Sequence, residues 1–198
     1  MLTHSLATLT ELPAVKRAIV VVASDRQPEC ATLLEQHGPW KVPLELVVGG
    51  AERQDSVAAG LARVDDESLV LVHDAARPFI QSATAQRCLD AATECGAAIV
   101  ALPANDTVKW AGAEATIDRT LDRTHVWLAQ TPQIFHTDLL RRALEAALRR
   151  GDSLTDDAAM VEALGASVRL VAGDPDNRKI TTTADLRWAE WFARDRPR

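Results

Sequence analysis

The 198-residue chain predicts an α/β protein built on a doubly wound, mostly parallel sheet. Three observations predict it. Short apolar runs rich in β-branched residues alternate with amphipathic segments of about ten residues. Glycines stand where several of these segments stop. One run, Leu69-Val70-Leu71-Val72, has acidic residues before it and His73, Asp74, Arg77 and Pro78 directly after it. That run has the character of a strand buried on both faces, as in a parallel sheet. Open α/β sheets bind ligands beyond the carboxyl ends of their strands, so an acid and a base there are candidates for a metal or phosphate site. The alternative is a charged loop with a local Asp74–Arg77 pair and a turn begun by Pro78.

Taken in order, Leu2, Leu6, Leu9 and Leu12 recur at helical spacing and predict an opening helix that ends near Pro13. Ala18 to Ala23 is a buried strand, and Pro28 to His37 a short helix with Leu33 and Leu34 facing inward. Leu44 to Val48 forms the next strand, ended by Gly49-Gly50, and a helix follows through Val57, Leu61 and Val64. After the Leu69 strand, Ser82 to Cys95 is helical and closed by Gly96, and Ala97 to Leu102 is again a buried strand. Residues Pro103 to Phe135 break the alternation. They are polar and β-leaning, with no helical period, and predict either strands projecting from the core or a cover over the active site. Asp138 to Arg150 restores a helix with an apolar stripe. Thr155 is placed to cap the next helix, with Asp156 and Asp157 near its N-terminal dipole. Val168 to Ala172 gives a last strand and Asp185 to Arg194 a last helix. One domain, residues 1–198 with an insertion at about 103–135, accounts for the pattern.

Bulk properties narrow the function classes. A formal charge of −6 argues against a general nucleic-acid or anionic-membrane binder, while leaving room for a local basic pocket. Cys30, Cys88 and Cys95 are odd in number and lack CxxC spacing, so neither a disulfide framework nor a zinc site is indicated. No basic segment leads into a long apolar run at the N-terminus, and no apolar stretch approaches the ~18 residues of a membrane span. The expectation is a cytoplasmic enzyme or binding domain. Neither GxGxxG nor GxxxxGK[ST] occurs, so dinucleotide-binding and P-loop chemistry have no support.

Further polar clusters sit at element ends. In Gly49-Gly50-Ala51-Glu52-Arg53-Gln54-Asp55-Ser56, the glycines permit close backbone approach and Ser56 could bond a ligand; otherwise the segment is a turn with Asp55 or Ser56 as helix cap. Asp106-Thr107-Val108-Lys109 is unremarkable by itself. In the polar insertion, Arg123 either grips a phosphate or is a surface arginine, and Gln130-Thr131-Pro132-Gln133 has the composition of a turn. Lys179, one of four lysines against eighteen arginines, is either a placed point charge or a solvated loop lysine.

Singly these signals are weak; in series they are specific. GGAERQDSV, LVHDAARPFI, DTVK, LDR...QTPQIF, TDDA and GDPDNRKITT occur in the order found in the 2-C-methyl-D-erythritol 4-phosphate cytidylyltransferase family, which the chain resembles over nearly its whole length. The related ribitol-5-phosphate cytidylyltransferases share HD..RPF and QTPQ. Ala75-Ala76, the Asp122–Trp127 DR-x-x-x-W and Thr155-Asp156-Asp157 favour the methylerythritol branch.

The resemblance implies a nucleotide-diphospho-sugar transferase-like sheet with a projecting β-arm. It also implies magnesium-assisted transfer of a cytidylyl group from CTP to methylerythritol phosphate, with pyrophosphate as leaving group. Lys179 and Arg123 would act at the reacting phosphates. Gly49, Gly50, Ser56 and Asp74 would hold CTP, with Asp74 near the metal. Ala75, Arg77, Thr107, Arg123, Thr131, Thr155 and Lys179 would hold the sugar phosphate. Arg123 and Thr131 would reach the neighbouring site of a homodimer joined through the arm. Arg178 stands where the family has an apolar residue. Family members also begin with a strand, an AAGxGxR loop and a Pro-Lys pair around the triphosphate, and Met1 aligns inside the helix after these. The first strand and Gly-rich loop are therefore expected to be absent from the 198 residues. Two readings follow: a cytidylyltransferase whose sequence starts late, or a truncated, non-catalytic domain that dimerises or binds a sugar phosphate.

Overall fold

A computed structural model describes residues 1–65, 68–151 and 156–195. Helix α1 (Leu2–Leu9) leads into strand β1 (Ala18–Val22), helix α2 (Gln27–His37), strand β2 (Leu44–Val48), helix α3 (Arg53–Leu61) and strand β3 (Leu69–Val72). Helix α4 (Ser82–Cys95) and strand β4 (Ala97–Pro103) precede two short strands, β5 (Lys109–Ala111) and β6 (Ile117–Thr120). Strand β7 (Trp127–His136), helices α5 (Thr137–Arg150) and α6 (Asp157–Glu162), strand β8 (Arg169–Ala172) and helix α7 (Thr183–Asp195) complete the chain. The α/β class is as expected, and element bounds up to β4 agree with the periodicity to within a few residues.

The sheet is mixed. β1 and β2 form a parallel pair, while β3, β7, β4 and β8 lie side by side in that order. β4 and β8 are parallel, and β7 runs antiparallel to both β3 and β4. Leu69–Val72 thus sits at an edge, antiparallel to its neighbour and only partly buried, rather than deep in a parallel sheet. Its unbroken apolar character has another cause. Successive strand residues face opposite sides. Val70 and Val72 pack on the cluster around Phe135 and Leu140, while Leu69 and Leu71 pack on the cluster around Cys88 and Ile134.

The largest correction concerns β7. The projecting region ends near Val126 rather than at Phe135, because residues 130–135 form a fully buried central stretch of β7. The turn-like composition of Gln130-Thr131-Pro132-Gln133 misleads here. The ladder between β7 and β4 shifts register between the Ile99–Gln133 and Ala101–Ala129 pairs. Pro132 lies in that irregularity, where its missing N–H removes no ladder bond. The arm itself is the antiparallel β5–β6 pair, exposed at every residue, with Trp110 and Ile117 open to solvent.

Local chemistry sets the helix ends. Gly96 takes φ +86°, a left-handed conformation that suits glycine, and closes α4 as expected. Helix α6 is capped by Asp156, whose carboxylate accepts from the Ala159 N–H at 3.0 Å; Thr155, expected in that role, lies outside the described residues. At α7 the Asp185 carboxylate accepts from the hydroxyl and N–H of Thr182, and Thr182 Oγ1 accepts from the Asp185 N–H at 3.1 Å, a reciprocal cap. Arg178 joins this structure, 2.9 Å from Asp185 and over the Trp188 ring. Phe79, Trp188 and Phe192 seat α7 against the segment after β3.

The hydrogen bonds from the Thr182 hydroxyl, then from the Thr181 and Thr182 N–H groups, hold the Asp185 carboxyl down to about 2. Its stabilisation is complete above the unfolded carboxylate pKa of ~3.9 and is lost as pH falls through the folded value. Asp185→Asn should lower the thermal midpoint at pH 7, and the gap to wild type should close between about pH 4 and pH 2. A gap constant over that interval would mean that the carboxylate charge contributes nothing.

Candidate active site

The segment after β3 turns sharply, with the Arg77 N–H donating to the Asp74 carbonyl at 2.9 Å. The turn brings Asp74 and Arg77 to one side, facing the 130–133 stretch of β7 and the loop that carries Lys179. Together with the first residue of α3 these elements enclose a cavity of about 210 Å³, lined among others by Arg53, Asp74, Arg77, Thr131, Gln133 and Lys179.

Asp74 is the focus of its charges. Its Oδ2 lies 3.0 Å from Lys179 Nζ and 3.6 Å from Arg77 Nε. Burial pushes this carboxyl upward, but the Lys179 hydrogen bond and charge, with Arg53 and Arg77, outweigh it and hold Asp74 below the usual range. Burial lowers Arg77, which Asp74 opposes, and the guanidinium remains a cation at any physiological pH. Arg77 Nη1 also donates to the Asn177 carbonyl at 2.9 Å, fastening the β3 turn to the Lys179 loop.

Arg53 forms a bidentate pair with Asp157, at 2.8 and 2.6 Å. The Asp157 side chain is fully enclosed, while Arg53 keeps about a third of its surface toward the cavity. With Asp157 matched to Arg53 and Asp156 engaged as a helix cap, Arg77 and Lys179 together face Asp74. Two cations thus share one carboxylate, with the Asp156 charge held at the N-terminus of α6, an arrangement that suits a phosphate.

Gln133 and Asn177 brace the walls. Gln133 Oε1 accepts from the N–H groups of Asp157 and Ala158, and its Nε2 donates to Asp156 at 2.9 Å. Asn177 Nδ2 donates to Gln130 Oε1 and to the Thr131 carbonyl. His73, partly buried, lies between Thr131 Oγ1 and the Arg77 carbonyl, and burial pushes its imidazole down to about 4, so it is neutral near pH 7.

Of the residues expected from sequence, Asp74, Arg77, Thr131 and Lys179 meet in this cavity, with Ala75 exposed in the adjoining turn. Thr131 is corrected in one respect. Its side chain is buried and bonded within its own chain, so it does not reach a neighbouring site. Gly49, Gly50 and Ser56 gather at the β2–α3 junction and do not line the cavity. A Cβ added at Gly49 would fall 2.5 Å from Ser56 Oγ, and one at Gly50 would collide with Asp55, so packing alone requires both glycines. Asp55 accepts from the Glu52 N–H at 3.0 Å as part of a capping box. Thr107 and Arg123 belong to the exposed arm region, where Arg123 donates to the Asn105 carbonyl. Thr155 is outside the described residues. Arg53, Gln133, Asp157 and Asn177 were not anticipated. Each works through a partner 24 to 104 positions away, which no local pattern displays.

Comparison with known proteins agrees with this arrangement. Residues 1–195 match the family model described as IspD: 2-C-methyl-D-erythritol 4-phosphate cytidylyltransferase. A Bacillus licheniformis protein of that name is 42% identical over 187 residues, covering 94% of this chain and 80% of its own. The crystal structure of 4-diphosphocytidyl-2C-methyl-D-erythritol synthase from Anaerococcus prevotii superposes with a TM-score of 0.89 at 30% identity, covering 98% of this chain and 88% of that one. The 2-C-methyl-D-erythritol 4-phosphate cytidylyltransferase of Thermus thermophilus gives 0.79 at 38% identity, covering 96% and 87%.

Removing Arg53 leaves Asp157 as an uncompensated enclosed charge. Arg53→Met is expected to destabilise the fold by about 3 kcal/mol, at the low end of the range for breaking a buried pair because Arg53 is partly open to water. Urea denaturation measures it. A loss under about 1 kcal/mol would place the pair with ordinary surface salt bridges.

Proposed function

The chain belongs to the 2-C-methyl-D-erythritol 4-phosphate cytidylyltransferase family, and we propose that its Asp74–Arg77–Lys179 cavity is where cytidylyl transfer takes place. A phosphate oxygen of methylerythritol phosphate attacks the α-phosphorus of CTP. The new P–O bond forms as the bond to the β-phosphate breaks, giving 4-diphosphocytidyl-2-C-methyl-D-erythritol and pyrophosphate, a step of non-mevalonate isoprenoid biosynthesis. The observation that carries this reading is the convergence of Lys179 and Arg77 on one carboxylate at the rim of a small polar cavity.

Reactions of this kind depend on positioning and on positive charge at the developing oxyanions. Arg77 and Lys179 grip the sugar phosphate, which takes over the contacts they make with Asp74. Gly49, Gly50 and Ser56 lie against the cytidine, and Asp74 faces its ribose and phosphates. Ala75 and Thr155 complete the sugar-phosphate side. Magnesium fits this donor set. Among the described residues no group of three metal-ligating side chains exists, and magnesium held mainly by substrate phosphates needs only one or two protein carboxylates. Asp74 supplies one, and the ion would neutralise charge on the triphosphate.

The arm supports a homodimer. Among the described residues β5 and β6 pair only with each other, and their exposed Trp110 and Ile117 are costly to leave in water. In such a dimer Thr107 and Arg123 complete the partner's site. Three free cysteines suit a reducing, cytoplasmic location.

Calorimetry with methylerythritol phosphate tests the cavity. Arg77→Ala and Lys179→Ala should each weaken binding by about 1.5–3 kcal/mol, the range for hydrogen bonds to charged groups. Unchanged affinity in both would move the substrate elsewhere.

Mixing tests the arm. Arg123→Ala and Lys179→Ala chains of the native protein, each inactive alone, should together regain about a quarter of wild-type activity. Half of the dimers in an equal mixture are mixed, and each of these carries one intact site. Activity no greater than that of the separate variants would place Arg123 in its own chain's site or outside catalysis.

A further inference from the structure

We infer that His73, which does not line the cavity, is a positioning residue for Asp74 and Arg77 and acts through the Thr131 hydroxyl; the catalytic part of this inference rests on the cytidylyltransferase reading above. The argument begins with which atoms can give a proton. The Asp74 N–H lies 3.0 Å from Thr131 Oγ1, and a backbone amide can only donate, so the hydroxyl oxygen accepts there. The hydroxyl has one hydrogen of its own, and His73 Nδ1 lies 3.0 Å away. Nδ1 accepts that hydrogen because the single proton of the neutral ring is held on Nε2, which faces an obligate acceptor. That nitrogen is 3.1 Å from the Arg77 carbonyl, which can only accept. The second lone pair of the same carbonyl takes the Ser5 hydroxyl at 3.3 Å.

A single assignment of protons satisfies every contact in this series. It runs from the Asp74 N–H to the Thr131 hydroxyl, to His73 Nδ1, and from His73 Nε2–H to the Arg77 carbonyl. The Arg77 N–H, donating to the Asp74 carbonyl at 2.9 Å, closes the ring. Both ends of the four-residue turn that displays the Asp74 carboxylate and the Arg77 guanidinium are thereby tied to β7 by one side chain. The ring also commits the only hydroxyl hydrogen of Thr131 inside the protein. Thr131 has none to offer a substrate phosphate, and in this chain its side chain supports the turn rather than contacting the sugar phosphate.

Two measurements test this. In the native protein labelled with nitrogen-15 in its histidine rings, His73 should show the Nε2–H tautomer with Nδ1 as acceptor, and Thr131→Val should shift the Nδ1 resonance. Proton occupancy of Nδ1, or a resonance indifferent to Thr131→Val, overturns the inference whether or not the enzymatic reading holds. In turnover of CTP and methylerythritol phosphate, Thr131→Val and His73→Phe should each lower kcat on the order of 10²-fold, the scale of an ångström-sized misplacement. The double variant should be no slower than the worse single one, because both break the same chain. Thr131→Ser, which keeps the hydroxyl, should return to within a few-fold of wild type. Folded His73→Phe with wild-type kcat, or losses that multiply in the double variant, would overturn it. If His73→Phe fails to fold, the Ser and Val variants at position 131 together with the ring resonances decide. An absence of wild-type turnover alongside the expected tautomer would count against the cytidylyltransferase reading and leave the hydrogen-bond ring intact.

Discussion

Enclosed polar groups must find partners, and on β7 three of them stand almost in a row. Gln130, Thr131 and Gln133 are each at most 6% exposed, on the central strand of the larger sheet. An unpaired donor or acceptor at such a position costs about 1–3 kcal/mol. Their partners come from outside the sheet. Gln130 takes the 174–177 loop, Thr131 takes the turn after β3, and Gln133 takes the N-terminus of α6. Two loops and a helix N-terminus are thus drawn to one short stretch of strand. Asp74, Arg77 and Lys179 converge because those loops do.

The charges inside the cavity depend on this frame. Lys179 and Arg77 come from segments about a hundred residues apart and would repel each other without Asp74 between them. Asp74 in turn remains ionised against its own burial because those cations stand close. Under the proposed function, the Asp74 carboxylate and the substrate phosphate are alternative partners for the same two cations. A phosphate can enter without the cations having to move far, and part of the cost of gathering them has already been met in folding.

How legible this was in the sequence depends on distance along the chain. Helices and strands up to β4 were readable because apolar periodicity is a local signal, and Gly96 marked a true left-handed cap. Asp74, Arg77 and Lys179 were readable because they follow apolar runs or lie in a motif whose order is specific. β7 was not. A strand whose buried stretch holds Gln, Thr and Gln has the composition of a turn, and only the partners that satisfy those groups, far along the chain, reveal that it is core. The same reasoning explains Asp157. Beside Asp156 it looks like an exposed acid near a helix dipole, yet it is the enclosed half of an ion pair with a residue 104 positions away. Arg178, out of place as a substitute for an apolar residue, makes sense beside Asp185 and Trp188, where its stem and planar head cover an aromatic ring.

Strands β1 and β2 share no backbone ladder with the four-stranded sheet among the described residues. They are joined to it through α3, which packs Gly60 against Val21 on one side and sends Leu61 into the main core on the other, and through the Arg53–Asp157 pair. A part of a protein held by side chains and one helix, rather than by a shared ladder, can open as a unit at lower free energy than the whole. The β2–α3 junction, with Gly49, Gly50 and Ser56, belongs to that looser part, while Asp74 and Lys179 belong to the tighter one. A nucleotide that touches both would act as a brace, converting two cooperative units into one, and some of its binding energy would appear as slower amide exchange in β1 and β2 rather than as affinity.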